Sequence, residues 1–150
     1  YELFTSDLKR ATRIVFLGDN AGETVFDRLF IEQIGRQVIY VVREGPIIND
    51  ATVEEARLSG LEEVARVVSS GCQAPGTVLE LCSQEFIAIL KQADLIISKG
   101  QGNYECLEQL TGPFYFFFKS KCEVISRHLN VNQGSLVLAR SKNYNSILNL

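Results

Sequence analysis

Five times in succession the chain repeats one unit: a short run of β-branched or aromatic residues, a polar or glycine-rich turn, and an amphipathic stretch. The runs are RIVFL (13–17), QVIYVV (37–42), EVARVV (63–68), DLIIS (94–98) and FYFFF (114–118); a sixth, SLVLA (135–139), follows the last amphipathic stretch. The stretches between them fall near Thr24–Ile34, Ala51–Ser59, Val78–Gln92, Tyr104–Leu110 and Glu123–Leu129. Runs that are apolar throughout, rather than alternating, belong to strands covered on both faces. Strands separated by helices pair in parallel through right-handed crossovers. The expected fold is therefore α/β: a three-layer α/β/α domain with a mostly parallel, Rossmann-like sheet of about six strands. One domain spans 1–150, without linker or low-complexity segment, and the polar tail SKNYNSILNL is expected at the periphery.

Composition narrows the partners. With 46% hydrophobic residues, 150 residues supply one ordinary core, and a net charge of −3 offers no basic excess for a nucleic-acid backbone. No apolar run is long enough to span a bilayer, and residues 1–10 mix charged and apolar side chains unlike a signal peptide. The chain opens at Tyr1 and contains no Met, which reads as a piece of a longer protein, with YELFTSDLKRA as the tail of a helix. Cys72, Cys82, Cys106 and Cys122 form no C-x-x-C pair and have no partnering histidine, so zinc is not indicated. Reduced thiols, packed as small hydrophobes in a cytoplasmic protein, are expected.

In such a sheet, ligands bind beyond the carboxyl ends of the strands. Those ends lead into GDNAGE, REGPIINDAT, SSGCQAPGT, KGQGNYE and KSKC, all opening on one edge. Together they present Asp19, Asn20, Glu23, Asn49, Asp50, Thr77, Lys99, Asn103, Glu105, Lys119 and Lys121. Asp19 and Asn20 suit a helix cap, with Glu23 as capping-box partner, and Asn49–Asp50 suit a cap ahead of ATVEEARL. Against capping, the loop from Arg43 to Asp50, with Gly45–Pro46 inside it, is longer than a cap requires and is able to aim Asp50 over the first strand end. Asp19, Asn20 and Asp50 offer oxygen only, which suits Mg²⁺ or Mn²⁺. The two glycines of KGQGNYE are spaced to expose backbone N–H groups to a phosphate, although neither a Walker loop nor G-x-G-x-x-G is present. Lys119, at the mouth of an apolar strand, either snorkels to solvent or supplies charge to a phosphate. Lys121 is expected to begin a helix in solvent, and Asp27 to lie on the helix beyond the first motif, outside the site. His128, the only histidine, falls late in a helix, so no histidine-based triad exists.

GDNAGE, INDAT, APGT, KGQGNYE and FFFKSKC, in this order and each after a strand, resemble the DUF89 (damage-control phosphatase) family over nearly the whole chain. The resemblance implies a metal-dependent phosphatase hydrolysing small phosphorylated metabolites, either sugar phosphates or damaged metabolite phosphates. It implies that Asp19, Asn20 and Asp50 hold a divalent cation (Mn²⁺, Mg²⁺, Co²⁺ or Ni²⁺), with Asp19, Asp50 and Lys119 as the catalytic set. Substrate binding is carried over to Glu23, Lys99, Gly100, Gln101, Gly102, Asn103 and Lys119. Family members have an N-terminal helical region that helps cover the site. This chain is expected to lack it, and so to fold, to hydrolyse poorly, and to expose an apolar patch that favours association. A D-x-D pair, as in haloacid-dehalogenase-like enzymes, is absent, since Ala21 takes the second place. Two other readings stay open. One is a nucleotide- or sugar-phosphate-binding module whose phosphate affinity survives a chelator; the other is a silent structural domain that binds neither metal nor phosphate.

Overall fold

Strand β1 (Ile14–Leu17) is apolar and buried at every position, as befits the centre of a sheet covered on both faces. The computed structural model describes residues 1–145 and 148. Helix α1 (Glu2–Arg10) precedes β1, which is followed by α2 (Thr24–Ile34), β2 (Val38–Val42), α3 (Val53–Leu58) and β3 (Arg66–Ser69). After them come α4 (Gln84–Lys91), β4 (Leu95–Lys99), α5 (Gln101–Leu107), β5 (Phe114–Lys119), α6 (Glu123–Leu129) and β6 (Leu136–Arg140). The sheet order is β3-β2-β1-β4-β5-β6. The first five strands are parallel and β6 runs antiparallel along β5.

Alternate residues of the strands feed two cores. Ile14, Phe16, Tyr40 and Ile97 meet Phe4 of α1, Ile31 of α2 and Ala56 of α3 on one face. Val15, Leu17, Ile96 and Phe116 meet Phe86 of α4 and Tyr104 and Leu107 of α5 on the other, with Ile125 of α6 beside them. This is the three-layer arrangement that uninterrupted apolar strands require. Every parallel strand therefore delivers its following loop to one edge.

Three expectations need correction. The third run becomes a strand only from Arg66, because Leu61–Glu63 wind into a 3-10 turn first. The stretch Val78–Gln92 is not one helix: Leu79–Leu81 form a 3-10 turn, and α4 starts afresh after Ser83, whose hydroxyl accepts from the Phe86 N–H. The tail is peripheral at Lys142, Asn143 and Asn145 but not throughout. Ser141 and Leu148 are buried, and Leu148 occupies the space that a side chain at position 112 would need. Residues 146, 147, 149 and 150 lie outside the described residues. The four cysteines are free thiols; Cys72 is buried like a small hydrophobe, whereas Cys106 is exposed. Among the described residues no helix is long and apolar enough to cross a membrane. On the outer side of α2, Val25, Phe26 and Leu29 are exposed.

The opposite edge of the sheet is clasped by one carboxylate. Asp94 Oδ2 accepts from the Thr12 N–H (3.1 Å), the Thr12 hydroxyl (2.6 Å) and the Arg13 N–H (2.9 Å), while Oδ1 accepts from the Arg13 guanidinium (2.8 Å). These bonds, with Arg13 first, hold the carboxyl far below its ordinary range. A depressed carboxyl stabilises the fold above its unfolded value of 3.8 and loses that contribution as the pH falls below it. Asp94→Asn should therefore cost about 1–2 kcal/mol near pH 7 in urea unfolding, and the gap from wild type should narrow steadily as the pH falls below about 4. A gap independent of pH would show that the clasp is not electrostatic.

Candidate active site

Beyond β1 the backbone stays in register with β2, the Gly18 N–H donating to the Val41 carbonyl at 3.0 Å. A Cβ at Gly18 would occupy the space of the Tyr40 hydroxyl, which passes there to donate to Asp27 Oδ2 at 2.8 Å. Asp19 and Asn20 follow at once. The loop after β2 folds back onto them: the Ala51 N–H donates to the Asp19 carbonyl and the Ala21 N–H to the Asn49 carbonyl, both at 2.8 Å. Asn20 and Asp50 face each other in an antiparallel bridge. Asp19, Asn20 and Asp50 are thus gathered at one point from two loops.

None of them caps a helix with its side chain, although Asn20 holds the N-cap position of the 3-10 turn Ala21–Glu23. The 3-10 turn Ala21–Glu23 and α2 have no side-chain cap, and α3 is capped by Thr52, in a reciprocal capping box with Glu55. Asn20 Nδ2 donates to Glu23 Oε1 (2.6 Å) and Asp19 Oδ2 (3.0 Å), which leaves the amide carbonyl oxygen for a cation. Asp50 Oδ2 accepts from Arg43 Nε at 2.8 Å. Burial, and then the charges of Asp50 and Glu23, push the Asp19 carboxyl up to about 6; Lys121 and Arg43 pull the other way without prevailing. An oxygen-only donor set with crowded acid charge fits a hard divalent cation. Among the described residues no group of three or more His, Cys, Asp or Glu is arranged for a metal, so the fit depends on Asn20 as a donor.

Gly100 makes the Asp19 position possible. Its φ is 86°, in the left-handed region, and a Cβ there would overlap the Asp19 carboxyl group. In the rest of the KGQGN turn, two groups are committed to the fold and the first-turn N–H groups of α5 follow them. The Gly100 N–H donates to the Phe117 carbonyl at 3.0 Å and is committed to the sheet edge. Gly102 packs against Pro75 and Gly76 of the third loop. Asn103 is fully buried, its Oδ1 accepting from Arg43 (2.8 Å) and Thr77 (2.8 Å) and its Nδ2 donating to the Gly18 (3.2 Å) and Lys99 (2.7 Å) carbonyls. Its side chain is a strut between loops, with both amide atoms engaged.

Lys99 is also engaged. Its Nζ donates to Glu23 Oε2 (2.6 Å) and Asp27 Oδ1 (2.8 Å). Burial alone would lower its pKa, but the two acids outweigh burial and raise it. Burial opposes the shift at Glu23 too, yet Lys99 and Asn20 hold that carboxyl low. Asp27 is raised by burial against the pull of Lys99 and Tyr40. With both oxygens taken, Glu23 is a bracket holding the Asn20 amide and Lys99. Asp27 is no bystander: one turn beyond Glu23 on α2, it is buried beneath the site.

A cavity of about 430 Å³ opens over this floor, lined by Asp19, Gln101, Phe117, Lys119, Lys121 and Leu136. Lys119 is exposed at the end of β5. Lys121 is not solvated away from the site, because it lines the same cavity and its charge reaches Asp19 and Glu23. Gln101 Oε1 accepts from the Lys121 N–H at 2.7 Å and its Nε2 donates to Glu105 at 2.7 Å, tying α5 to the turn after β5. His128 is exposed and contacts Glu108. A cavity of about 470 Å³ at the opposite edge, beside Arg13 and Glu63, gathers none of these groups. Sequence reasoning missed Arg43, Asp27 and Tyr40. The available signal for Arg43 was its position directly after a buried parallel strand, which places it on the same edge as the other candidates.

Residues 1–137 match the family of the damage-control phosphatase ARMT1-like domain. The chain is 43% identical over 146 residues to a damage-control phosphatase of Pyrococcus horikoshii, covering 94% of this chain and 50% of that protein. It is 40% identical over 130 residues to a damage-control phosphatase of Archaeoglobus fulgidus, covering 83% and 45%. The crystal structure of a DUF89 family protein from P. horikoshii superposes with a TM-score of 0.90 at 41% identity, covering 94% of this chain and 51% of that one. The chain thus spans about half the length of the curated relatives it matches.

Two glycines separate the requirement for space at Asp19 from glycine content in general. Gly100→Ala forces a Cβ into the Asp19 carboxyl and strains a left-handed backbone, and should cost at least about 2 kcal/mol, or roughly 4–8 °C in Tm. Gly22→Ala, where a Cβ meets nothing within 4 Å, should stay within about 0.5 kcal/mol of wild type. Equal melting temperatures for the two variants would refute the packing of Gly100 on Asp19.

Proposed function

Because the chain belongs to the damage-control phosphatase ARMT1-like domain family, we propose that it forms the catalytic face of a metal-dependent phosphatase acting on small phosphorylated metabolites. The observation that carries this reading is Asp19: a carboxylate set beside Asp50 and Asn20, on the floor of a cavity walled by Lys119 and Lys121. Asp19, Asn20 and Asp50 would hold a divalent cation, Mn²⁺ or Mg²⁺ by donor chemistry and Co²⁺ or Ni²⁺ as alternatives. Bound there, it supplies Lewis-acid charge to a phosphoryl oxygen.

The protein's own groups do the remaining work. Lys119 and Lys121, on the cavity wall, neutralise the other phosphoryl oxygens as negative charge shifts toward the leaving group. Lys99 stays paired to Glu23 and Asp27 and holds the Asn20 bracket in place. A cavity that joins this polar floor to Phe117, Leu136 and Leu138 supports a compact phosphomonoester with some apolar surface as the substrate class. On the same reading, the further half present in the relatives covers the cavity, and the chain by itself hydrolyses esters poorly.

Titration with Mn²⁺ tests the floor. Wild type should bind the ion, and Asp19→Ala and Asp50→Ala should each lose the site; equal binding by all three would sink the assignment. Asp27→Ala is no neutral control, since it strips Lys99 and Tyr40 of a buried partner and should destabilise the fold by about 2 kcal/mol or more.

The walls are tested by hydrolysis of a panel of small phosphate esters with Mn²⁺, in the protein extended to the length of its relatives. Lys119→Met should lower kcat/KM about 100-fold with Tm and Mn²⁺ affinity unchanged. Lys121→Met should fall in the same direction, whereas Lys91→Met, in the last turn of α4, should match wild type. If Lys119→Met retains full activity, that lysine only snorkels.

A further inference from the structure

Arg43 follows the last residue of β2, and its side chain runs inward beneath the loops until only 3% of it meets solvent. Its Nε donates to Asp50 Oδ2 at 2.8 Å, one terminal nitrogen to the Thr77 hydroxyl at 3.1 Å, and the other to Asn103 Oδ1 at 2.8 Å. Its own N–H donates to the Ala51 carbonyl at 2.9 Å, so backbone and side chain grip the two sides of Asp50. The Asp50 side chain is itself only 8% exposed.

A buried ion pair is a poor device for stability alone, because desolvating both charges offsets most of their attraction. Loops can be tied together more cheaply by neutral groups, and Asn103 and Thr77 already do so. What the guanidinium adds is directional. A planar fork clamped by acceptors on three separate segments has a single orientation, and it takes one named oxygen of Asp50. The other oxygen, Oδ1, accepts no hydrogen bond among the described residues and is left as a cation donor.

We propose that Arg43 is a positioning residue for the cation site: by occupying Asp50 Oδ2 it makes Asp50 a one-oxygen ligand, set in place before the cation arrives. The proposal rests on the assignment of Asp19, Asn20 and Asp50 as cation ligands. It assigns to Arg43 the part that hydrogen-bonded outer partners play at metal sites generally, where their loss lowers affinity about 10- to 100-fold. Lysine at this position keeps the charge but reaches one acceptor at a time and cannot reproduce the fork.

The test is Mn²⁺ affinity, measured by calorimetric titration of the folded chain, for wild type, Asp19→Ala, Arg43→Lys and Thr77→Val, each with its Tm. Arg43→Lys should bind Mn²⁺ about tenfold more weakly than wild type at a temperature where it is folded. Thr77→Val, nearly isosteric, removes one of the three acceptors and should weaken binding roughly threefold, in the same direction. A merely structural arginine would lower Tm and leave the affinity of the folded protein within twofold of wild type, and that result overturns the proposal. Should Arg43→Lys not fold, Thr77→Val decides by the same criterion: weaker binding supports the role, unchanged binding overturns it. If Asp19→Ala binds as tightly as wild type, the ligand assignment itself is wrong and this proposal falls with it. If Asp19→Ala loses the site while Arg43→Lys keeps it, only the role of Arg43 falls.

Discussion

The carboxyl edge of the sheet depends on the side chain of Asn103. Its amide makes four hydrogen bonds, to Arg43, Thr77, the Gly18 carbonyl and the Lys99 carbonyl, and these partners belong to four different segments. Only a neutral amide serves there. A carboxylate would face the Gly18 and Lys99 carbonyls with lone pairs against lone pairs. An aliphatic side chain would orphan two buried donors and two buried carbonyls, each at a cost of about 1–3 kcal/mol. The loops that form the site are therefore held as firmly as secondary structure. Gly18 keeps its ladder bond to β2, so the turn holding Asp19 starts from a fixed point.

The strands were legible because a fully buried parallel strand admits no other pattern. RIVFL, DLIIS and FYFFF are apolar on both faces and flanked by turns, and they became β1, β4 and β5 nearly as drawn. Among the strands, the boundary misplaced most lies at β3, an edge strand, where one flank demands nothing and the preceding residues were free to coil. Ser83 broke a continuous amphipathic stretch because a good cap outweighs periodicity. At the site, the loops involved were legible from the rule that parallel strands end on one edge. Which atoms remain available was not, because spacing carries no information about depth. The glycines of KGQGN look like a cradle for phosphate, yet one makes room for Asp19 and the other packs on the third loop. Asp27 looks like a solvated helix residue until Tyr40 and Lys99 are seen to converge on it.

Charge at the site is arranged by depth, and on the proposed function this arrangement would let one small cavity attract both a cation and an anion. Asp27, the deepest acid, and Glu23 share Lys99. Asp50 is matched by Arg43. Each of these acids is buried or half-buried with a cation within hydrogen-bond distance, as the low dielectric of the interior demands. Among the described residues the Asp19 carboxylate accepts only from the neutral amide of Asn20, and so the uncompensated negative charge of the floor is concentrated on one carboxylate. The lysines at positions 119 and 121 line the same cavity, exposed and, among the described residues, without an ion pair to the floor. Had they been drawn down onto Asp19, the two poles would cancel and the cavity would hold neither ion well. The acids that might have captured them are already occupied from below by Lys99 and Arg43. The buried pairs thus keep the floor negative at one point and the wall positive, a separation that the exposed groups alone would not maintain.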